Sequence, residues 1–198
     1  MSSIARVCVF CGANPGRRPS YLQAAARFGS ALAESGLGLV YGGGSVGLMG
    51  AVADGALAKG GHVFGVLPDF LFAREVGHKG LSELKVVASM HERKAIMAER
   101  SDAFVALPGG FGTLDEVFEI LTWAQLGLHQ KPVALLNVEG FFDSLLAYLD
   151  HATDEGLIQR AHRDFLLVEP DPDRLLAKLH EPRPPITVLA GTLTPRQT

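Results

Sequence analysis

The feature that most constrains this chain is the regular alternation of short apolar runs with longer segments of helical period. The runs fall at Arg6 to Cys11, Gly38 to Tyr41, His62 to Leu67, Leu84 to Val87, Ala103 to Leu107, Val133 to Asn137 and Leu166 to Val168. Helical patterns fill the gaps, at Tyr21 to Ser35, Leu48 to Lys59, Met90 to Arg100, Leu114 to Leu126, Phe141 to Glu155 and Arg174 to Leu179. Parallel strands cannot be joined by tight hairpins and need a crossover helix each time, so this alternation predicts an α/β fold, a parallel sheet flanked by helices on both faces. In such sheets ligands bind beyond the carboxyl ends of the strands. The loops that matter therefore follow Cys11, Tyr41, Leu67, Val87 and Leu107.

A length of 198 residues suits one such domain, taken here as residues 1–180 and carrying any nucleotide-binding catalytic site. Residues 181–198 change to a Pro-rich composition, beginning Glu181-Pro182-Arg183-Pro184-Pro185, and read as a C-terminal tail or an arm on a partner subunit. A formal net charge of -3 gives no general attraction to nucleic acid or to an anionic membrane, so an anionic ligand must be held by a local set of donors. The start of the chain runs directly into a strand pattern, and no apolar run approaches the roughly 20 residues that span a bilayer, so a cytoplasmic location is expected. Cys8 and Cys11 form a CxxC, but residues three apart on a strand point to opposite faces, and no second pair completes a zinc site. Buried structural thiols and no metal are the expectation.

Two glycine-rich segments follow strands. The first, Gly42-Gly43-Gly44-Ser45-Val46-Gly47, satisfies G-x-G-x-x-G with Asp69 further on, as in a dinucleotide site, and also G-x-S-x-G with Ser45 as a nucleophile. The dinucleotide fingerprint belongs to the first strand-to-helix turn and this is the second; the nucleophile would need a well-placed histidine, and His151 and His162 lie in or beside helical pattern. A tight turn bringing backbone close to some ligand is the third reading. The second segment, Leu107 to Glu116, packs Gly109, Gly110 and Gly112 into a strand-to-helix turn with Thr113 beyond them. Unpaired N–H groups and the positive end of the helix dipole make that turn a phosphate site, and the missing lysine rules out the triphosphate-binding P-loop. A monophosphate is the simpler fit.

Glu116 supports two readings. Thr113-x-x-Glu116 is a capping box, and the same carboxylate would lie beside a sugar attached to the bound phosphate, where it could stabilise an oxocarbenium-like transition state. Ser89-x-x-Glu92 is a second capping box and puts Arg93 and Lys94 near the start of a helix. Two cations there oppose the dipole, so an anionic ligand or acidic neighbours are expected, with Arg93 the better anion grip because of its planar fork.

Met90-His91-Glu92-Arg93-Lys94 together with Pro108-Gly109-Gly110-Phe111-Gly112-Thr113-Leu114-Asp115-Glu116 resembles the motifs of the LOG (Lonely Guy) family, the cytokinin riboside 5′-monophosphate phosphoribohydrolases. The likeness extends to Val9-Phe10-Cys11-Gly12, Val40 to Gly50, Thr122 to Gly127 and Lys131-Pro132-Val133. The resemblance implies a modified Rossmann fold, commonly a homodimer or larger homo-oligomer, that releases free base and ribose 5-phosphate from cytokinin riboside 5′-monophosphate and from adenosine monophosphate, with no cofactor. It implies Arg93 and Glu116 as the catalytic pair and Gly110, Gly112 and Thr113 as the phosphate cradle. It further implies substrate contacts from Glu75, Lys94 and Thr122; Gly109 and Gly43 are added as turn glycines near the ligand. A nucleotide carrier with the same turn is the alternative. Members are often labelled lysine decarboxylases, yet Lys94 is the only lysine near the expected site and nothing else completes a pyridoxal phosphate site. The helix after Gly112 is apolar over a wide arc, at Leu114, Val117, Phe118, Ile120, Leu121, Trp123 and Ala124, which points to a second buried side.

Overall fold

Seven strands in the computed structural model form one parallel sheet in the order β4-β3-β2-β1-β5-β6-β7. Residues 4–72, 77–183 and 186 are described. The strands are β1 (Arg6–Phe10), β2 (Gly38–Tyr41), β3 (Val63–Pro68), β4 (Glu83–Val87), β5 (Ala103–Ala106), β6 (Val133–Leu136) and β7 (Leu166–Glu169). The helices are α1 (Pro19–Glu34), α2 (Gly47–Ala58), α3 (Asp69–Phe72), α4 (Met90–Glu99), α5 (Phe111–Gln125), α6 (Asp143–Asp154), α7 (Arg160–Phe165) and α8 (Pro172–Leu179), with a 3₁₀ turn at Val138–Gly140. All seven expected strands form; the short helices α3 and α7 lie in segments with too few residues for a helical period to show.

Alternation along each strand splits the apolar side chains between two cores. Val7, Val9, Leu39 and Tyr41 face α1, α2 and α8, while Cys8, Phe10, Val40 and Phe104 face α4, α5, α6 and α7. Cys8 and Cys11 thus sit on opposite sides as buried free thiols, and burial pushes the Cys11 thiol well above its ordinary range. Helices α1 and α2 meet backbone to backbone, because a Cβ on Gly29 would lie 2.0 Å from Val52 O and one on Gly55 2.1 Å from Ala26 O. Arg183, at the start of the Pro-rich segment, donates from its guanidinium to Phe165 O and Asp164 O, and Ile186 N–H donates to Gln130 Oε1. Residues 184, 185 and 187–198 lie outside the described residues. No helix among the described residues is long and apolar enough to cross a membrane.

The order of strands reverses at β1. Chain connectivity runs outward from it to β2, β3 and β4 on one side, then returns to β5 on the other. Crevices open at such switch points, outside the carboxyl ends of the two central strands. Here those ends are Phe10 and Ala106, and Gly12 N–H donates to Pro108 O (3.0 Å) to set the two following loops side by side.

Candidate active site

A cavity of about 490 Å³ opens at this switch point, within the roughly 300–1,000 Å³ of small-molecule sites. The loop after β1 contributes Gly12, Ala13 and Asn14, and the turn after β5 contributes Pro108, Gly109, Gly110, Gly112 and Thr113. Arg93 and Glu116 line it as well, and Tyr21, Leu48, Met49, Leu71 and Phe141 supply apolar wall. Tyr21 and Phe141 meet edge to face, with ring centroids 5.6 Å apart.

Helix α5 begins at Phe111 with Gly110 as its cap and no side-chain capping bond. This corrects the capping-box reading of Thr113 and Glu116: the helix starts three residues earlier than its apolar pattern suggests, because Phe111 is 95% exposed and Gly112 has no side chain. Its own ladder opens with Leu114 N–H on Gly110 O (3.1 Å), so the N–H groups of the three preceding residues are left to partners outside the helix. A Cβ on Gly110 or Gly112 would meet nothing within 4 Å, whereas one on Gly109 would strike Thr113 Oγ1 at 2.1 Å. The turn is thus tight at Gly109 and open at Gly110 and Gly112. Thr113 is buried beneath Gly109.

Freed from capping, Glu116 turns inward. Its Oε1 accepts from Arg93 Nη1 at 2.6 Å, and the two side chains are 8% and 9% exposed. Arg93 Nε donates to Val66 O (3.1 Å). Burial pushes the Glu116 carboxyl above its ordinary value, and the opposing charge and hydrogen bond of Arg93 only partly offset this. Gly112 and Thr113 lie four and three residues before Glu116, so the three share a face of α5. The cavity therefore runs from open backbone donors to a buried carboxylate about one helical turn, ~5.4 Å, further along.

The acidic neighbours expected for the two cations of α4 are all on α5. Half of the expected capping box of α4 forms: Ser89 Oγ accepts from Glu92 N–H (3.1 Å), while Glu92 Oε2 reaches one residue past the cap and accepts from Ala88 N–H (2.9 Å). Lys94 Nζ then donates to Glu119 Oε1 (3.0 Å) and Asp115 Oδ2 (3.2 Å). Burial works to lower its pKa, but these two bonds outweigh it and hold the ammonium above its ordinary value. Lys94 does not line the cavity, nor do Thr122 and Gly43. Thr122 is exposed on α5 and donates to Phe118 O (2.7 Å). Gly43 is buried, its carbonyl accepting from His78 N–H (2.9 Å). Glu75 lies outside the described residues.

Sequence reading missed what Gly42 does. A Cβ there would lie 2.0 Å from Arg93 Nη2, so the glycine exists to admit the guanidinium. Gly44 and Gly47 are likewise occupied, by Met49 and by Ala13 O. A run so filled by the protein's own atoms has no room for a pyrophosphate, which removes the dinucleotide reading. Neither Ser45 nor any histidine lines the cavity, so the reading of Ser45 as a nucleophile has no support at this site. Among the described residues no cluster could hold a metal ion.

The family model described as possible lysine decarboxylase matches residues 49–179. The chain is 53% identical over 184 residues to a probable cytokinin riboside 5′-monophosphate phosphoribohydrolase of Oryza sativa subsp. japonica, covering 93% of this chain and 75% of that protein. It is 48% identical over 192 residues to a cytokinin riboside 5′-monophosphate phosphoribohydrolase of Arabidopsis thaliana, covering 97% and 88%. Among solved structures it is similar to the molybdenum cofactor binding protein of Rippkaea orientalis (TM-score 0.69, 24% identity, 90% of this chain and 97% of that one). The molybdenum cofactor carrier protein of Chlamydomonas reinhardtii is similar too (TM-score 0.67, 24% identity, 89% and 98%). At that identity the likeness is one of fold, and it bears out the Rossmann-like arrangement.

Proposed function

Because the chain belongs to the LOG family of cytokinin riboside 5′-monophosphate phosphoribohydrolases, we propose that it hydrolyses the N-glycosidic bond of such monophosphates, and of adenosine monophosphate. The observation that carries this reading is the buried Arg93–Glu116 pair lying one helical turn below an open glycine turn in the same cavity. The 5′-phosphate occupies the turn from Gly109 to Thr113, accepting from the free N–H groups at the start of α5. The ribose then lies over Glu116, whose ionised carboxylate stabilises positive charge at the anomeric carbon as the bond to the base breaks. The bonding electrons leave with the base, a water oxygen joins the anomeric carbon, and the proton that water loses balances the charge on the base. Arg93 holds the carboxylate in place. The apolar wall formed by Leu48, Met49, Leu71 and Phe141 suits a base and an apolar substituent on it.

In this reading Gly109, Gly110, Gly112 and Thr113 contact the phosphate, and Glu75 is retained as a substrate contact. Lys94 and Gly43 serve the site by holding its elements. Thr122 faces away from this cavity, so a contact from it would be made to the ligand of a second copy. A second copy also suits α5. Val117, Ile120 and Ala124 fill the core, leaving Leu114, Phe118 and Leu121 as a half-buried stripe on the adjoining face. A cytoplasmic homodimer is the form proposed.

The description as a possible lysine decarboxylase fits the site poorly. No lysine lines the cavity, and Lys94 is held protonated between two carboxylates, the opposite of a Schiff-base lysine. The test is incubation with adenosine monophosphate and with its N6-isopentenyl analogue. Free base and ribose 5-phosphate in equal amounts are expected; tight binding of both with neither product formed would make the protein a carrier instead.

A further inference from the structure

The turn that confines Arg93 is itself held from behind. Gly42 presses on the guanidinium, and Gly43, at φ +74°, turns its carbonyl outward to accept from His78 N–H (2.9 Å). Gly44 pairs with Gly77 in an isolated antiparallel bridge, and its carbonyl accepts from the Tyr41 hydroxyl (3.2 Å). The strip Gly77–Gly80 thus backs the glycine turn at Gly43 and Gly44. One side chain fastens that strip. The His78 ring is only 13% exposed; its Nδ1 accepts from Gly80 N–H (3.1 Å), which puts the ring proton on Nε2, facing Asp54 Oδ1 at 3.0 Å. Asp54 stands on α2, the helix that the glycine turn leads into. The linkage closes a ring: glycine turn, α2, Asp54, His78, and back to Gly43.

We propose that His78 is a positioning residue for the hydrolytic reaction, acting through Asp54 and the Gly42–Gly44 turn to keep the Arg93 guanidinium against Glu116. His78 touches neither cavity nor substrate, so it belongs to the orientation of the pair and not to its chemistry. Small displacements of a catalytic group cost far more in turnover than in folding, which is why an imidazole behind the turn matters. The apparent asymmetry of the site follows: Glu116 is placed by its own helix, whereas Arg93, on a long side chain, needs a wall.

This inference rests on the proposed activity, and the experiment separates the two. In His78→Ala the kcat for adenosine monophosphate is expected to fall about tenfold with KM within about twofold, since the phosphate turn is untouched. His78→Gln can still donate to Asp54 and should restore kcat to within about threefold of the unaltered protein. The readout free of activity is hydrogen exchange of the Arg93 Nε–H, assigned by its loss in Arg93→Lys; it should quicken at least about tenfold in His78→Ala and not in His78→Gln. Unchanged Nε–H exchange in a folded His78→Ala overturns the proposal, as does equal loss in both variants. Absence of turnover in the unaltered protein overturns the proposed activity alone, and the exchange measurement still decides whether His78 holds Arg93.

Discussion

The two glycine-rich turns look alike as strings of residues and do opposite things. At Gly42 to Gly47 the glycines are there because other atoms of the protein occupy the space a side chain would take: Arg93 Nη2 beside Gly42, Met49 beside Gly44, Ala13 O beside Gly47. At Gly110 and Gly112 they are there with nothing opposite, so the emptiness belongs to the cavity. One turn is a packing device and the other a binding surface. Glycine permits close approach in both cases, and only the structure tells whether what approaches is the protein or a ligand.

The two regions meet at the Arg93–Glu116 pair, and the largest effect is expected there. Glu116→Gln preserves size and an oxygen for Arg93, and should lower kcat by about 100-fold or more while the protein stays folded. The stability of the unaltered protein should also change with pH in a definite direction. A carboxyl raised above its ordinary value favours folding while protonated, and that contribution fades as pH climbs above 4.5 through the raised value. Relative to Glu116→Gln, the unaltered protein should therefore lose stability between pH 4 and neutrality, which denaturant titrations at both ends would measure. Activity should fall as acid protonates the same carboxylate, at a pH above the group's ordinary value. A fully active Glu116→Gln would leave the pair structural.

Next in size is Gly42→Ala. Its Cβ must displace a buried guanidinium, an overpacking expected to cost about 1–3 kcal/mol and to lower kcat more than tenfold through Arg93. Gly110→Ala is the counterpart. Gly110 has a negative φ of −104°, and a methyl there enters open space, so the melting temperature should hold while KM rises about tenfold. The comparison breaks if the two variants behave alike, with both destabilised or both merely weaker in binding.

Much of this was legible in the residues. The strands, the parallel sheet and the carboxyl-end site follow from periodicity, because a buried parallel strand and an amphipathic helix leave different patterns. Arg93 and Lys94 were recognisable as needing acids, since two cations near a helix start are uncomfortable there. The resemblance pairs Arg93 with Glu116, but the acids that meet Lys94 remained hidden: Asp115 and Glu119 lie 21 and 25 residues away on another helix. The true start of α5 was masked by an exposed Phe111 and a glycine, neither of which carries an amphipathic signal. Gly42 and His78 could not be found at all from spacing. Their roles depend on where the Arg93 side chain ends and on a strip joined to the turn across a stretch of sequence with no period of its own.

The smallest effect is expected at Lys94, and it decides between two assignments of that residue. The family motif implies a substrate contact, whereas the structure gives the ammonium to Asp115 and Glu119, which join α4 to α5 beside the Arg93–Glu116 pair. Its partners are 62% and 26% exposed, so the bridge is worth at most about 1 kcal/mol. Lys94→Met keeps the aliphatic stem and removes the charge. If the ammonium only ties the two helices, stability should drop by under about 1 kcal/mol and kcat by less than about threefold, with KM unchanged. A KM raised about tenfold at constant stability would instead place the charge on the phosphate. In that event α5 would offer its carboxylates to Lys94 only until the substrate arrives, and the glycine turn would share its anion with a lysine from α4.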